Sequence, residues 1–370
     1  GDDVLDHLSE LHCKKALIVT DPFIVTSGLL DMIVHPLENG KTEFKIFSDV
    51  VPDPPIGKIV LGVKALLDYQ PEVLIAVGGG SAIDASKAIR EFAMTTEGYP
   101  KIPLIAIPTT SGTGSEVTSF AVITDPERHI KYPLISPSLL PDEAILDAEL
   151  VRSVPPHITA DTGMDVFTHA LEAFVSINEN EFSSALAEKA IQIVGSHLLR
   201  TYYDGNDMDA RKKMHSASCL AGLAFNSAGL GLNHGMAHAL GATFHIPHGR
   251  ANAMLLPHII QYNSNINEHS KSQRSYPQVV ERYSTIARNL GLNSYNEIMT
   301  VRSLANWVQF MLKELDMPLS ISQIGTISKE DYFAAIPHMA DEALADNCTK
   351  NNPRKVTRAN VIELYKQLWY

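Results

Sequence analysis

The sequence predicts two domains, an α/β domain with a parallel sheet over residues 1–155 and an all-α domain over residues 156–370. The chain of 370 residues exceeds the usual size of one hydrophobic core. Short β-type runs alternate with helical segments as far as about residue 150, and strand signals nearly vanish after residue 155. Pro155 and Pro156 mark the junction, because paired prolines end regular structure.

Each element of the first domain follows from its pattern. Four short apolar runs, each bounded by Gly, Pro or Asp, predict buried strands over residues 16–20, 44–47, 73–77 and 104–107. Apolar residues recur at helical spacing between them, over residues 56–69 and 82–94. Strands that alternate with helices build a parallel sheet covered by helices, which is the Rossmann-like arrangement.

The second domain shows helical periodicity almost throughout. Its predicted helices cover residues 160–175, 182–203, 211–228, 279–290, 301–315 and 357–369.

Composition narrows the function classes. The formal net charge is −12 and no block of Lys or Arg stands out, which disfavours nucleic acid and anionic membranes as partners. The three cysteines form no close pair, and there is no apolar run of about 18 residues, so we expect a protein of the reducing cytoplasm.

A glycine-rich segment after the third predicted strand indicates a phosphate site. Gly78, Gly79, Gly80 and Ser81 follow that strand and open a helix. Glycines let the backbone approach a ligand closely, and the N-terminus of a helix attracts a pyrophosphate through its N–H groups and dipole. A simple tight turn is the alternative.

A second loop, residues 109–118, follows the fourth predicted strand and is rich in hydroxyl groups. Gly112 and Gly114 begin a dinucleotide fingerprint, but Val117 stands at its last position, so the fingerprint fails. The loop is predicted to bind ribose or phosphate, with a capping loop as the alternative.

Asp21 closes the first predicted strand. A carboxylate at the C-terminal end of a strand can accept hydrogen bonds from a ribose 2′-hydroxyl and would repel a 2′-phosphate, which favours NAD over NADP. An Asp that only starts a turn before Pro22 explains the residue equally well.

The first helix of the second domain carries candidate metal ligands. Asp165 and His169 are four residues apart, which places them on one helical face with about 5–6 Å between Cβ atoms. Asp161 shares that face, but at the expected helix start capping explains it. Glu172 is interpreted as a solvated or structural residue.

Five of the 15 histidines fall within 25 residues, a density that indicates a metal: His234, His238, His245, His248 and His258. His234 and His238 lie four apart on a helical pattern, and His248 lies in a Pro-His-Gly turn. Geometry alone lets both members of the pair bind, whereas His245 and His258 have ordinary loop or core interpretations. The ligand choice stays open at this point, and a histidine-rich core helix is the alternative.

Four motifs in order resemble those of the iron-containing, group III alcohol dehydrogenase family, and the resemblance runs through almost the whole chain. They are Gly78-Gly-Gly-Ser81, Pro108-Thr-Thr-Ser-Gly-Thr-Gly-Ser-Glu-Val-Thr118, Thr162-Gly-Met-Asp-Val-Phe-Thr-His169, and His234-Gly-Met-Ala-His238 with Pro247-His248-Gly249. A late stretch, residues 345–354, resembles the family's C-terminal motif. The resemblance implies a dehydroquinate synthase-like architecture, with a dinucleotide-binding domain followed by a metal-binding and catalytic domain.

The resemblance also implies a role for each matching residue. The metal ligands would be Asp165, His169, His234 and His248. His238 would lie beside the metal without binding it and act in substrate positioning or proton relay. The cofactor side would comprise Asp21, Gly79, Gly80, Ser81, Thr109, Thr110, Thr113 and Lys131.

The activity implied is the interconversion of short-chain primary alcohols and aldehydes with NAD(H) at Fe²⁺, with Zn²⁺ also suited to the ligands. The likeness is greatest to family members of propanediol utilisation, which implies reduction of propionaldehyde to 1-propanol. Phe120 stands where diol-forming members carry a polar side chain, and Phe225 and Cys348 match other pocket positions, which favours unfunctionalised alcohols.

Alternatives remain at this level. A polyol dehydrogenase or a dehydroquinate synthase-like lyase would keep the glycine loop and the metal, and a non-catalytic scaffold is a third alternative. The family implies a homodimer, and the propanediol likeness raises association with the enzymes or shell of a bacterial microcompartment.

Overall fold

The computed structural model describes residues 4–127, 130–266 and 277–370, and the chain divides into two compact units, Gly1–Ser153 and Val154–Tyr370. Unit 1 contains strands β1 (Lys15–Val19), β2 (Glu43–Phe47), β3 (Val73–Gly78), β4 (Leu104–Pro108), β5 (Phe120–Asp125), β6 (Ile130–Ile135) and β7 (Glu143–Ala144). Its helices are α1 (Pro22–Thr26), α2 (Asp31–Asn39), α3 (Ile56–Tyr69) and α4 (Gly80–Glu97).

A parallel sheet with the strand order β2-β1-β3-β4-β7 forms the centre of unit 1. Successive residues of β3 alternate between two cores: Ile75 and Val77 pack with residues of α1 and α2, whereas Leu74 and Ala76 pack with residues of α3 and α4. Helices therefore cover both faces, which confirms the predicted α/β class.

The four predicted strands and two predicted helices of unit 1 are present, with ends shifted by up to three residues. The sequence prediction missed α1, α2, β7 and the antiparallel hairpin of β5 and β6.

Among the described residues of unit 2, all regular secondary structure is helical. The helices are α5 (Pro156–Val175), α6 (Glu181–Tyr203), α7 (Met208–Ala228), α8 (Leu232–Phe244), α9 (His248–Ser264), α10 (Pro277–Asn289), α11 (Glu297–Glu314), α12 (Lys329–Ala345) and α13 (Arg358–Leu368). Apolar residues of α8, α9, α12 and α13 pack together in one of its cores. The all-α prediction is confirmed, although α8, α9 and α12 were not among the predicted helices.

Two local predictions about unit 2 are wrong. Helix α5 begins at Pro156, so Asp161 lies inside the helix rather than at its cap, and its carboxylate pairs with Arg250 at 3.1 Å. His248 is the first residue of α9 and not part of a free turn. No helix among the described residues has both the length and the apolar content needed to cross a membrane.

Candidate active site

The glycine-rich turn of unit 1 joins β3 to the N-terminus of α4. Gly78 has φ of +147°, which favours glycine, and a Cβ on Gly80 would lie 2.8 Å from Cγ2 of Thr113. A Cβ on Gly79 would lie 3.4 Å from Cγ2 of Thr110, and the N–H of Thr109 donates to the carbonyl of Gly78 at 3.0 Å. The glycine turn and the hydroxyl-rich loop are therefore packed against each other.

The other predicted cofactor residues of unit 1 have varied surroundings. Oδ1 of Asp21 caps α1 by accepting from the N–H groups of Phe23 and Ile24, and Oδ2 lies 3.3 Å from the Cβ position of Gly78. Ser81 accepts a hydrogen bond from the N–H of Asp53 at 3.3 Å, a neighbour that sequence reasoning missed. Lys131 lies in β6, and its side chain is outside the described part of the chain.

A buried lysine fixes the hydroxyl-rich loop to α4. Lys87 is fully buried, and its Nζ donates to Oγ of Ser115 at 2.9 Å, Oγ1 of Thr118 at 3.2 Å and the carbonyl of Phe120 at 2.6 Å. Asp84 accepts from Ser115 at 2.5 Å and from the N–H of Val122 at 2.9 Å. Burial lowers the pKa of Lys87 to about 8, although Asp84 opposes the shift. The sequence prediction assigned no role to either charged residue.

In unit 2, the four predicted metal ligands come together from three helices. Asp165 and His169 lie on α5, His234 on α8 and His248 at the start of α9, and one ligand atom of each lies within 4.8 Å of all the others. Oδ1 of Asp165 is 3.7 Å from Nε2 of His234 and 3.6 Å from Nε2 of His248, and Oδ2 is 3.9 Å from Nε2 of His169.

This donor set fits a divalent ion. Ligand bonds of about 2.1 Å in tetrahedral geometry place the donor atoms about 3.4 Å apart, close to the distances found. Nδ2 of Asn252 lies 2.7 Å from Oδ1 of Asp165, 3.0 Å from Nε2 of His234 and 3.1 Å from Nε2 of His248. An amide nitrogen has only two hydrogens and cannot satisfy three acceptors. At least one of the three lone pairs therefore remains available to another partner.

The start of α9 lies close to the backbone of α5, which brings the donor residues together. A Cβ on Gly249 would lie 2.0 Å from the carbonyl oxygen of Asp161 and 3.2 Å from Cβ of Asp165. Only glycine lets α9 begin this close to α5, which explains the residue that follows His248.

The pKa values of the four donor residues depend strongly on one another. Burial alone would raise the pKa of Asp165, but the neighbouring imidazoles of His169 and His248 outweigh it and hold this pKa well below its usual range. Burial alone would lower the pKa of His234, but Glu172 and Asp165 raise it to about 9. Burial lowers the pKa of His248 to about 3, although Asp165 opposes this shift, so the members of the group differ strongly in their affinity for a proton.

His238 lies beside this group but has a different partner. Its Nδ1 is 2.8 Å from Oδ2 of Asp346, and its ring stacks on that of His248 with centroids 5.2 Å apart. The side chain is 44% exposed, so it links the donor group to solvent. His245 ends α8 in an exposed position, and His258 lies within α9 outside the four-residue donor group.

The predicted pocket residues lie in different units. Phe225 stacks on His169 with centroids 4.6 Å apart, and the N–H of Cys348 donates to Oδ1 of Asp346 at 2.7 Å. Phe120 begins β5 in unit 1, where its carbonyl is held by Lys87.

Glu172 is buried, which excludes the solvated alternative of the sequence interpretation and leaves the structural one. Its carboxylate hydrogen-bonds to Nδ1 of His234 and accepts from the N–H of Asn233 at 2.8 Å. A spacing signal was present in the sequence: Glu172 lies seven residues after Asp165 and three after His169, on the same helical face.

Comparison with known proteins agrees with this fold and identifies the family of the chain. The family model described as iron-containing alcohol dehydrogenase matches residues 1–148, and that of the C-terminal part of the Fe-containing alcohol dehydrogenase family matches residues 159–369. The chain belongs to the iron-containing alcohol dehydrogenase family, and it is accordingly an oxidoreductase that interconverts alcohols and aldehydes. Membership of this family speaks against the lyase and scaffold alternatives.

Several known proteins are similar to this chain over its full length. The 1-propanol dehydrogenase PduQ of Salmonella typhimurium is 43% identical over 370 residues, which cover 100% of this chain and 96% of the relative. The NADPH-dependent butanol dehydrogenase of Clostridium saccharobutylicum is 36% identical over 385 residues, covering 100% and 95%. The crystal structure of a 1,3-propanediol oxidoreductase superposes with a TM-score of 0.91 at 32% identity, covering 100% and 97% of the two chains.

Proposed function

We propose that the protein reduces short-chain aliphatic aldehydes, propionaldehyde foremost, to primary alcohols with NADH at a centre that holds Fe²⁺. The observation that carries the proposal is the convergence of Asp165, His169, His234 and His248 within one family-matched unit. Three imidazoles and one carboxylate suit Fe²⁺ and Zn²⁺ alike, and the family's name favours iron.

His238 and Asp346 are proposed to transfer the proton of the reaction. When bound, the ion would supply Lewis acidity at the carbonyl oxygen and the nicotinamide would supply the hydride. Asp346 accepts from Nδ1 of His238, which leaves Nε2 of this half-exposed ring to move a proton between solvent and the nascent alcohol. Burial opposes ionisation of Asp346, but its hydrogen bond with His238 lowers the pKa to about 2, so the partner stays a carboxylate acceptor.

The proposed cofactor site is the glycine turn and the hydroxyl-rich loop of unit 1, with Lys131 as a further contact. The N-terminus of α4 at Gly80 is suited to a pyrophosphate. Asp21 favours NAD because its charge would repel a 2′-phosphate. A homodimer, a cytoplasmic location and association with a microcompartment stay predictions of the family resemblance.

Short unfunctionalised aldehydes are favoured by Phe120 and Phe225 and by the names of the similar propanol and butanol dehydrogenases. The similarity to a 1,3-propanediol oxidoreductase supports a second candidate, the reduction of a hydroxyaldehyde to a diol.

A substrate panel with anaerobically purified enzyme separates the two candidates. Propionaldehyde, butyraldehyde and 3-hydroxypropionaldehyde are each tested with NADH and NADPH, after reconstitution with Fe²⁺ or Zn²⁺ and metal analysis. We expect the highest kcat/KM with propionaldehyde, NADH and Fe²⁺. A higher value with the hydroxyaldehyde would favour the diol activity, and absence of turnover with every aldehyde would refute both.

The cofactor preference has its own test in Asp21→Asn. Asparagine keeps the ability to cap α1 but removes the charge, so the ratio of kcat/KM for NADH over NADPH should fall about tenfold, equivalent to about 1.4 kcal/mol. An unchanged ratio would mean that Asp21 serves only as a cap.

A further inference from the structure

Glu172 is a buried carboxylate placed behind a predicted metal ligand. It is 5% exposed on α5, and its two oxygens point to consecutive residues of α8: Oε1 accepts from the N–H of Asn233 at 2.8 Å, and Oε2 contacts Nδ1 of His234. A Cβ on Gly231 would lie 2.9 Å from Oε1, so the chain entering α8 is also packed against this carboxylate. The position of Glu172 is therefore fixed on more than one side.

This contact determines which nitrogen of His234 carries the proton. A neutral imidazole has one N–H, and an ionised carboxylate can only accept a hydrogen bond. When His234 is neutral, as metal binding requires, the contact with Oε2 thus places the proton on Nδ1 and leaves the lone pair on Nε2. Nε2 is the atom that lies in the donor group, 3.7 Å from Oδ1 of Asp165.

We propose that Glu172 is a positioning residue of the metal centre, which holds His234 in the tautomer and ring orientation that a divalent ion requires. The inference rests on the proposed function only in taking such an ion as the ligand. Its chain of contacts runs from the N–H of Asn233 through Glu172 to His234. A carboxylate behind a metal-binding imidazole also increases the basicity of the ligand.

Asp346, the C-cap of α12, provides a matched control because it holds a second imidazole of α8. Nδ1 of His238 is held by Asp346 at 2.8 Å, and His238 lies one helical turn after His234. His238 is not a member of the four-residue donor group. Removal of either acid charge thus removes a carboxylate from behind one imidazole of α8, but only in Glu172→Gln does that imidazole belong to the donor group.

The test titrates the metal-free full-length protein with Co²⁺ against a competing chelator, because the visible spectrum of Co²⁺ reports its coordination. Gln at position 172 can donate to Nδ1 through its amide and so favour the tautomer with the proton on Nε2. We expect Glu172→Gln to weaken Co²⁺ binding about 10- to 100-fold and to change the spectrum. Glu172→Asp, which keeps the acceptor but shortens its reach, should lose less affinity. Asp346→Asn should keep the parent affinity and spectrum at the four-residue donor group, because Asp346 belongs to a separate group with His238 and Cys348.

Wild-type affinity and spectrum in a folded Glu172→Gln protein would overturn the inference, as would an equal loss of affinity in Asp346→Asn. If Glu172→Gln does not fold, Glu172→Asp decides, and full affinity there would overturn the inference. The affinity for NADH, measured by fluorescence, should be unchanged in all variants.

The two proposals fail in different ways. A parent protein that binds Co²⁺ but reduces no aldehyde would refute the proposed function and leave the role of Glu172 intact. Aldehyde turnover by the parent protein, together with unchanged metal affinity in Glu172→Gln, would support the proposed function and refute the role of Glu172.

Discussion

Each unit buries a charged cluster, and the two clusters differ in what completes them. In unit 1, the ammonium of Lys87 has three hydrogens and three acceptors, on Ser115, Thr118 and Phe120. In unit 2, lone pairs of Asp165 and the histidines converge on a space where one amide nitrogen of Asn252 has three acceptors to serve. The first cluster is completed by the protein itself, whereas the second leaves acceptor atoms that the proposed cation would satisfy. Burial of charge alone therefore does not identify a site; the balance of donors and acceptors does.

The largest effect should come from removing the negative charge of the second cluster. Asp165→Asn keeps the size of the side chain but loses its charge, so we expect loss of bound metal and a fall in kcat of about 10³-fold or more, equivalent to several kcal/mol of lost transition-state stabilisation. Metal analysis and aldehyde turnover measure both effects.

Asp161→Asn is the control for that variant, because Asp161 lies one turn earlier on α5, is buried and pairs with Arg250 outside the donor group. It should retain the metal. Equal metal loss in both variants would show that the effect is general to α5.

Breaking the first cluster should destabilise the protein without removing the metal. Lys87→Met leaves Asp84 buried without its cation, which should lower the free energy of unfolding by about 3–5 kcal/mol. It should also weaken NADH binding, because the loop of Thr110 and Thr113 loses an anchor. Denaturant titration and NADH fluorescence measure the two effects.

The double variant Lys87→Met with Asp84→Asn sharpens the comparison. A neutral pair avoids the uncompensated charge, so it should recover part of the stability lost in the single variant. A double variant less stable than Lys87→Met would contradict the assignment of Lys87 and Asp84 as a mutually compensating pair.

The smallest effect concerns Glu116, which is buried in unit 1. Burial raises its pKa to about 7 from the ordinary 4.5, although Lys87 opposes the shift. Between these values the folded protein binds more protons than the unfolded chain, so this residue makes stability fall as pH rises from about 4.5 to 7, by at most about 3 kcal/mol. The lowered pKa of Lys87, about 8, acts only at higher pH.

Glu116→Gln should remove that fall. The Tm of the parent protein relative to the variant, compared at pH 5 and pH 7, measures it. A difference in Tm between the two proteins that does not change with pH would show that Glu116 is ionised throughout.

Local patterns predicted much of the fold. Buried strands such as β3 and amphipathic helices such as α3 carry their period in the sequence, and the ends of α3 were predicted to the residue. Four missed elements contain an internal proline, namely Pro36 in α2, Pro133 in β6, Pro257 in α9 and Pro337 in α12. Proline normally argues against a helix interior or a paired strand, and tertiary packing overrides that preference here.

The candidate site was predictable in part. The spacing of Asp165 and His169 indicated one helical face, but only the family resemblance separated His234 from His238. Periodicity does not reveal which of these two histidines faces another helix. It also does not reveal that Asp346 holds His238. Glu172 and Lys87 were missed because contacts across the fold, up to 62 and 33 residues away in the chain, define their roles.

Helix α5 also sets a limit on how the chain can diverge. Asp161, Asp165, His169 and Glu172 occupy one of its faces, and their partners come from α8 and α9. An α-helix rotates about 100° per residue. Substitutions elsewhere on α5 can leave this face intact, but one inserted or deleted residue between Asp161 and Glu172 turns part of it away. The length of this segment is therefore under stricter constraint than its composition.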